Sequence, residues 1–453
     1  MNAESVWTKY MEKSMKRYQK RYLLSKANLT DWLADNIVIL LYGVTLLAMC
    51  IFLRNGSAVI NYIRYIYCAL IMLVVIFRKR TLVVNKFVAY IVGGFVLHSV
   101  LFCFLIVPSS FRSAVIDNGK EMIVFWLFVF CTAQYVHATM KQKEFLLTTF
   151  FVFSLYMIVV YLTNFNGWAP IKFLPQLLGL GGVRVRFDFG FESNNQAAYL
   201  SLCLFVLSVL VWRTSLCNNK VLTKDWTVPK LYVAVACIVS ILMMLSTQTR
   251  GALMLALLFW LMPKLMNRTK IITKSKHRVA LAIVFLVAFL VVYFYFVYFA
   301  GDSRTSYLTH NVEIFVQYSN RWIGMGYAPF SAFLNQMYGY ATMPMDNYYL
   351  YILCATGYVG LAIVVTLLVS LVIYLSRLLY HNSHNYFLVQ VVVIFFMLLL
   401  MGVTEAGIIY TFSIYSSIYW MLIILSLMDV KQVKHVKHVK YRDCKRDIRN
   451  GIS

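Results

Sequence analysis

The chain has 453 residues, of which 61% are hydrophobic and only 13% charged. A soluble globular domain carries about 25% charged residues, so an ordinary soluble fold is excluded, and continuous rather than alternating apolar runs exclude a transmembrane β-barrel. The formal net charge of +25 does not point to nucleic acid, because the basic residues cluster at both ends and in short connections between apolar runs, the positive-inside pattern of a multi-pass membrane protein.

The chain opens on a basic segment, residues 1–35, carrying Lys9, Lys13, Lys16, Arg17, Lys20, Arg21 and Lys26 without a short apolar core. It reads as a retained cytoplasmic segment rather than a signal peptide. A single all-α transmembrane domain is predicted over 36–428. Its apolar runs cover 36–53, 59–77, 82–107, 122–136, 145–163, 196–212, 231–245, 252–265, 279–299, 348–375, 387–403 and 408–428. Most approach the ~20 residues that a helix needs to cross a bilayer. This gives about twelve spans with both termini cytoplasmic. In that arrangement roughly 32 of the 42 lysines and arginines fall on the inner side. The tail, 429–453, is basic, and its Lys434-His435-Val436-Lys437-His438 period reads as a lipid-facing tail rather than a metal site. Cysteines inside spans (Cys50, Cys68, Cys103, Cys131, Cys203, Cys237, Cys354) form no CxxC pair and read as small apolar packing residues.

Two sizeable outer loops are predicted, at 164–194 and, between spans nine and ten, at 301–346. Long loops on a rigid frame are where function concentrates. Walker A, HExxH, GxSxG and dinucleotide motifs are absent from the sequence, so neither a cofactor nor a metal is expected. The polar residues of the outer side carry the functional signal. Arg250 ends the tight tip Ser246-Thr247-Gln248-Thr249-Arg250-Gly251, directly against an apolar run. An arginine near the hydrocarbon boundary either snorkels to headgroups or faces a watery cavity. Arg304 opens the large loop, Arg184 and Arg186 lie two apart, and Arg321 precedes Trp322. Guanidinium groups gathered against the positive-inside bias suit an anionic ligand, phosphate above all, through bidentate hydrogen bonds. Asp346-Asn347 precede span ten. These residues can cap the helix, and the carboxylate can also act as general base on a sugar hydroxyl; the two roles are compatible. Asp188, Glu192 and Glu313 are further carboxylates. The loop's aromatic residues fit an interfacial belt and also fit sugar stacking.

Three stretches resemble one family. Phe189-Gly190-Phe191-Glu192-Ser193-Asn194-Asn195-Gln196-Ala197-Ala198 is similar to a G-Phe-x-x-N-N-x-x-A start of a span. Ser246-Thr247-Gln248-Thr249-Arg250-Gly251-Ala252 is similar to an S-x-S/T-R-G-A turn. Gly324-Met325-Gly326, Asp346-Asn347-Tyr348-Tyr349-Leu350 and Thr356-Gly357-Tyr358-Val359-Gly360-Leu361 are similar to a late G-x-G, [H/D]-N-x-[Y/F]-L, G-x-x-G-L series. Their order and spacing over residues 187–375 resemble the O-antigen polymerase and ligase superfamily, which includes Wzy-type polysaccharide polymerases.

The resemblance implies a GT-C-like fold and a bacterial cytoplasmic membrane location. It also implies glycosyl transfer on the outer face between undecaprenyl-pyrophosphate-linked oligosaccharide and polysaccharide. Membrane lipid and a chain-length regulator are the customary partners, and no nucleotide sugar is needed. The positions matching Arg250 and Arg304 are implied to hold pyrophosphate, with Asp346 as the candidate base. Arg184, Arg186, Arg321, Glu192, Asn195, Asn347 and Tyr348 are expected to bind substrate. Ligases of the family usually carry histidine where this chain has Asp346, a departure that favours a polymerase. A ligase with a different acceptor is the second reading. An exporter of lipid-linked sugar is the third, although it should show paired repeats or mid-span charges.

Overall fold

The computed structural model describes residues 29–53, 57–77, 85–106, 112–139, 142–164, 186–191, 193–214, 217–218, 228–272, 289–291, 293, 312–313, 315–317, 319–327, 347–381, 386–403 and 413–428. These residues are almost entirely helical, as expected where no water is present to satisfy an open backbone. The helices are α1 (Leu29–Phe52), α2 (Ser57–Phe77), α3 (Lys86–Val100), α4 (Arg112–Thr139), α5 (Gln142–Thr163), α6 (Asn194–Arg213), α7 (Lys230–Thr247), α8 (Arg250–Ile272), α9 (Tyr348–His381), α10 (Tyr386–Met401) and α11 (Ile414–Met428). A π turn, Leu101–Leu105, extends α3. A two-residue parallel pair, Cys217–Asn218 with Val228–Pro229, precedes α7. Among the described residues, five helices are long and apolar enough to cross a membrane: extended α3, α5, α6, α7 and α9. Shorter apolar stretches lie in α1, α2, α10 and α11.

Eleven of the predicted apolar runs overlap these helices, with three differences. α4 begins at Arg112, well before the predicted run at 122–136. α8 continues to Ile272, beyond the predicted run at 252–265, and takes in Arg268 and Lys270. α9 is longer than predicted and is interrupted. The basic ends, most of 279–299 and most of both large loops lie outside the described residues.

Two helices form the centre. α6 is capped by Ser193, whose Oγ accepts from Gln196 N at 3.1 Å. It is buried continuously from Ala197 to Val211 and packs on α5, α7 and α8. α11 is buried at every position from Ile414 to Met428. A helix apolar around its whole circumference belongs inside a bundle. Lipid is as apolar as leucine, so close packing must hold such a helix in place. Around Trp420 of α11 the rings of Trp126 (4.9 Å), Phe95 (5.8 Å) and Phe395 (6.4 Å) gather at tilted or edge-on angles, and each such pair is worth about 0.5–1.5 kcal/mol beyond area burial. The cysteines of the helices (Cys50, Cys68, Cys103, Cys131, Cys203, Cys237 and Cys354) are free thiols, all but Cys237 buried.

Arg64, close to the start of α2, is fully buried. Its Nη2 donates to Ser417 Oγ of α11 at 3.2 Å. Its guanidinium lies 6.0 Å and 5.7 Å from the ring centroids of Phe125 and Phe128 on α4, and Glu121 of α4 is its electrostatic counterpart. A charge held among apolar helices requires such partners, and here they tie α2, α4 and α11 together.

α9 breaks at Gly357, with φ +63° and ψ −166°. The carbonyls of Cys354 and Ala355 accept instead from Met325 N (3.0 Å) and Gly326 N (2.8 Å). The amides of Tyr358 and Val359 donate to the carbonyls of Arg321 (2.8 Å) and Trp322 (3.1 Å). Residues 319–327 therefore clasp the break and satisfy the backbone groups that it frees, the condition for irregular backbone inside a membrane protein. The clasp depends on two glycines. A Cβ at Gly324, where φ is +74°, would lie 2.2 Å from the carbonyl of Ala355, and one at Gly357 would lie 2.4 Å from the carbonyl of Trp322.

The break redirects the chain. Tyr348 N donates to Gly402 O at 2.8 Å, just past the end of α10. A straight 34-residue α9 would place Tyr348 about 50 Å from His381. The 16 residues of α10 rise about 24 Å, and the link from His381 to Tyr386 stretches to at most about 18 Å. An α10 packed back alongside α9 spans only about half the length of a straight α9, so residues 348–356 turn at the break toward the end of α10.

Candidate functional site at converging helix N-termini

Three of the segments singled out in the sequence meet at one end of the bundle. The turn between α7 and α8 is enclosed, with Ser246, Thr247, Gln248 and Thr249 all buried, whereas the sequence predicts an outer tip. Residues 186–191 lie across it, and Phe187 N donates to Ser246 O at 3.3 Å. Within that crossing, Asp188 Oδ1 accepts from Gly190 N at 2.8 Å, so this carboxylate braces a turn. Thr249 Oγ1 donates to Asn195 Oδ1 at 3.4 Å, joining the start of α6 to the start of α8. Arg250, half-buried, is the first residue of α8. Behind it, a Cβ at Gly251 would lie 3.4 Å from Tyr199 Oη and 3.5 Å from Tyr293 Oη.

The third segment joins through tyrosine hydroxyls. Tyr293 Oη donates to Leu400 O at 3.2 Å, and Tyr349 Oη donates to Leu399 O at 2.9 Å. The end of α10 thus connects the start of α8 to the start of α9. Asn347 caps α9, its Oδ1 accepting from Tyr349 N (3.0 Å) and Leu350 N (3.1 Å). Tyr348 is fully buried, edge-on to Tyr349 at 5.8 Å.

Backbone strain concentrates in the same place. Among the described residues, the non-glycine positions with positive φ are Phe189 (+54°) and Gln248 (+52°). Phe189 is held by the rings of Tyr161 (6.2 Å) and Phe187 (6.4 Å). Gln248 ends α7, its N–H donating to Leu245 O at 3.2 Å. Left-handed residues other than glycine cost about 1–3 kcal/mol each and persist where surrounding structure dictates them, commonly at functional sites.

The starts of α6, α8 and α9 carry no acidic residue in their first turns. Helix N-termini bear partial positive charge and unsatisfied N–H groups. Arg250 and the amides of these starts can donate to an anion there, beside the carbonyl ends of α7 and α10.

Of the residues expected to bind substrate, Arg186, Asn195, Asn347 and Tyr348 are placed in or next to this group. Asn347 is engaged as a cap and Tyr348 as a packed ring. Arg321 is exposed on the clasp of α9, and no described contact joins it to Arg250. Arg184, Glu192, Arg304 and Asp346 lie outside the described residues. Sequence reasoning missed Tyr199 and Tyr293, whose only signal was placement within apolar runs, and Gln248, whose backbone conformation no residue type announces. Comparison with protein-family models and with curated proteins gave no match.

Proposed function

We propose that the chain is a multi-pass glycosyltransferase of about twelve spans, GT-C-like, with both termini cytoplasmic. In this reading it joins undecaprenyl-pyrophosphate-linked repeat units into surface polysaccharide at the outer face of a bacterial cytoplasmic membrane. The observation that carries it is the convergence of the Asn195, Arg250 and Asn347 segments, far apart in the chain, at one strained end without first-turn acidic residues.

In the transfer, a hydroxyl oxygen of the acceptor unit attacks the anomeric carbon of the lipid-linked chain. The bond from that carbon to the pyrophosphate oxygen breaks, and undecaprenyl pyrophosphate leaves with the electron pair. The hydroxyl proton passes to a base, for which Asp346 is the candidate. Charge grows on the pyrophosphate as the bond breaks. Arg250 and Arg304, with the helix N-termini, would therefore bind the transition state more tightly than the ground state. Arg184, Arg186, Glu192 and Asn195 would line the same side. Asn347 and Tyr348 would hold the start of α9 in place.

The test is lipid-linked glycan profiling in cells lacking the protein, complemented with the unsubstituted chain, Arg250→Ala or Arg304→Ala. The expected result is accumulation of single lipid-linked repeat units in the null strain and with either variant, with both variants present in the membrane. Long lipid-linked chains that persist in the null strain would overturn the polymerase reading, and full-length polymer from both variants would overturn the pyrophosphate role.

A further inference from the structure

Beyond the break at Gly357, α9 exposes a stripe that includes Tyr358, Val359, Val365, Val369 and Ile373, spaced as one face of a helix. Residues 348–357 are all buried or half-buried. The face of α9 that meets lipid thus begins at the break, and the clasp extends it. Trp322 is 69% exposed, beside exposed Ile323. Its ring stands edge-on to Tyr358 at 6.0 Å, and Tyr358 stands edge-on to Phe315 at 5.4 Å. Val316, on the short helical turn at 315–317, is also exposed. From Gly357 to exposed Arg377 the helix rises about 30 Å, the thickness of a bilayer's hydrocarbon core. With Arg377 at one boundary, Trp322 and Tyr358 fall at the other, the level that Trp and Tyr favour. Exposed Arg321 adjoins them.

We propose that residues 315–317 and 319–323, which fall within the outer loop predicted at 301–346, are embedded in the boundary of one phospholipid leaflet. The Trp322–Tyr358 pair lies at the level of the glycerol backbone and the first acyl-chain carbons, and the Arg321 guanidinium binds a phospholipid phosphate. Only the naming of this leaflet as the outer one rests on the function proposed above; the embedding itself does not.

The test is collision accessibility of a nitroxide attached at Ile323→Cys and, separately, at Val316→Cys, in nanodiscs of phosphatidylcholine and phosphatidylglycerol. Signal from native cysteines is read on the unsubstituted protein and subtracted. Val369→Cys serves as the lipid-core reference and Lys120→Cys as the aqueous one. The expected result is oxygen access exceeding nickel-chelate access at both sites, with ratios between the two references and nearer to Val369. Nickel access equal to that at Lys120 would return the segment to water and overturn the proposal. Low access to both reagents would show a protein cover, and a change only on adding polyprenyl pyrophosphate would assign the face to a substrate tail; either overturns it. Arg321→Gln is expected to reduce co-purifying phosphatidylglycerol while leaving the depth of Ile323 unchanged, and undiminished lipid would overturn the headgroup contact.

Discussion

Replacing Gly324 by alanine should open the clasp on α9. The residue sits at φ +74°, where an L-amino acid costs about 1–2 kcal/mol. The new methyl would fall 2.2 Å from the carbonyl carbon and oxygen of Ala355, backbone atoms that cannot rotate away. Relief requires withdrawal of residues 319–327. That breaks the bonds of Met325 and Gly326 to Cys354 and Ala355, and those of Tyr358 and Val359 to Arg321 and Trp322. At about 1 kcal/mol per backbone bond, the four bonds and the strain together come to about 5–6 kcal/mol. This is comparable with the whole stability of many domains, so local release is expected before global unfolding. Hydrogen exchange in nanodiscs reads it directly: amides of 324–326 and 358–359 are protected in the unsubstituted protein and exchange rapidly in the variant. Gly357→Ala acts on the same clasp from the other side, so the double variant should exchange no faster than either single one. Unchanged protection in Gly324→Ala, or additive effects in the double variant, would refute the reciprocal clasp.

Other expectations follow from named contacts. Asn347→Ala removes the cap of α9 and should cost about 1 kcal/mol, while Asn347→Asp keeps an acceptor and should cost less; thermal unfolding of the two variants separates them. Gly251→Ala places its methyl in ordinary contact with Tyr199 and Tyr293 and should leave the thermal midpoint unchanged or slightly raised, alanine being a better helix former by about 1 kcal/mol. Gly251→Leu should displace both rings and lower that midpoint. Arg64→Ala removes the bond to Ser417 and leaves a cavity between α2, α4 and α11, so a loss of about 3 kcal/mol is expected; a stability equal to that of the unsubstituted chain would show that Arg64 holds nothing.

Hydropathy carried the helices because the length of an apolar run is set by the membrane itself. The cap at Asn347 was legible too, since its side chain can accept from an amide two or three residues on. The break in α9 was not legible. Glycine is tolerated in membrane helices, and the apolar pattern runs through Gly357 without a gap, because what replaces the lost helix bonds is a segment more than thirty residues upstream. The enclosed turn at 246–249 read as a tip because its cover, residues 186–191, comes from another loop. The role of Arg64 was not legible, since its partner Ser417 is 353 residues away.

That separation has a consequence during synthesis. At about 5–20 residues per second, Arg64 emerges some 20–70 s before Ser417 exists. Through that interval the nascent chain carries a guanidinium whose final partner has not been made, and the central space reserved for α11 stands open. Membrane insertion machinery must then either shelter α2 and α4 or retain them in a provisional arrangement until the last helix arrives. Chains truncated before Ile414 would present this unfinished centre permanently, making them ready substrates for membrane quality control whatever the state of the site at the other helices' ends.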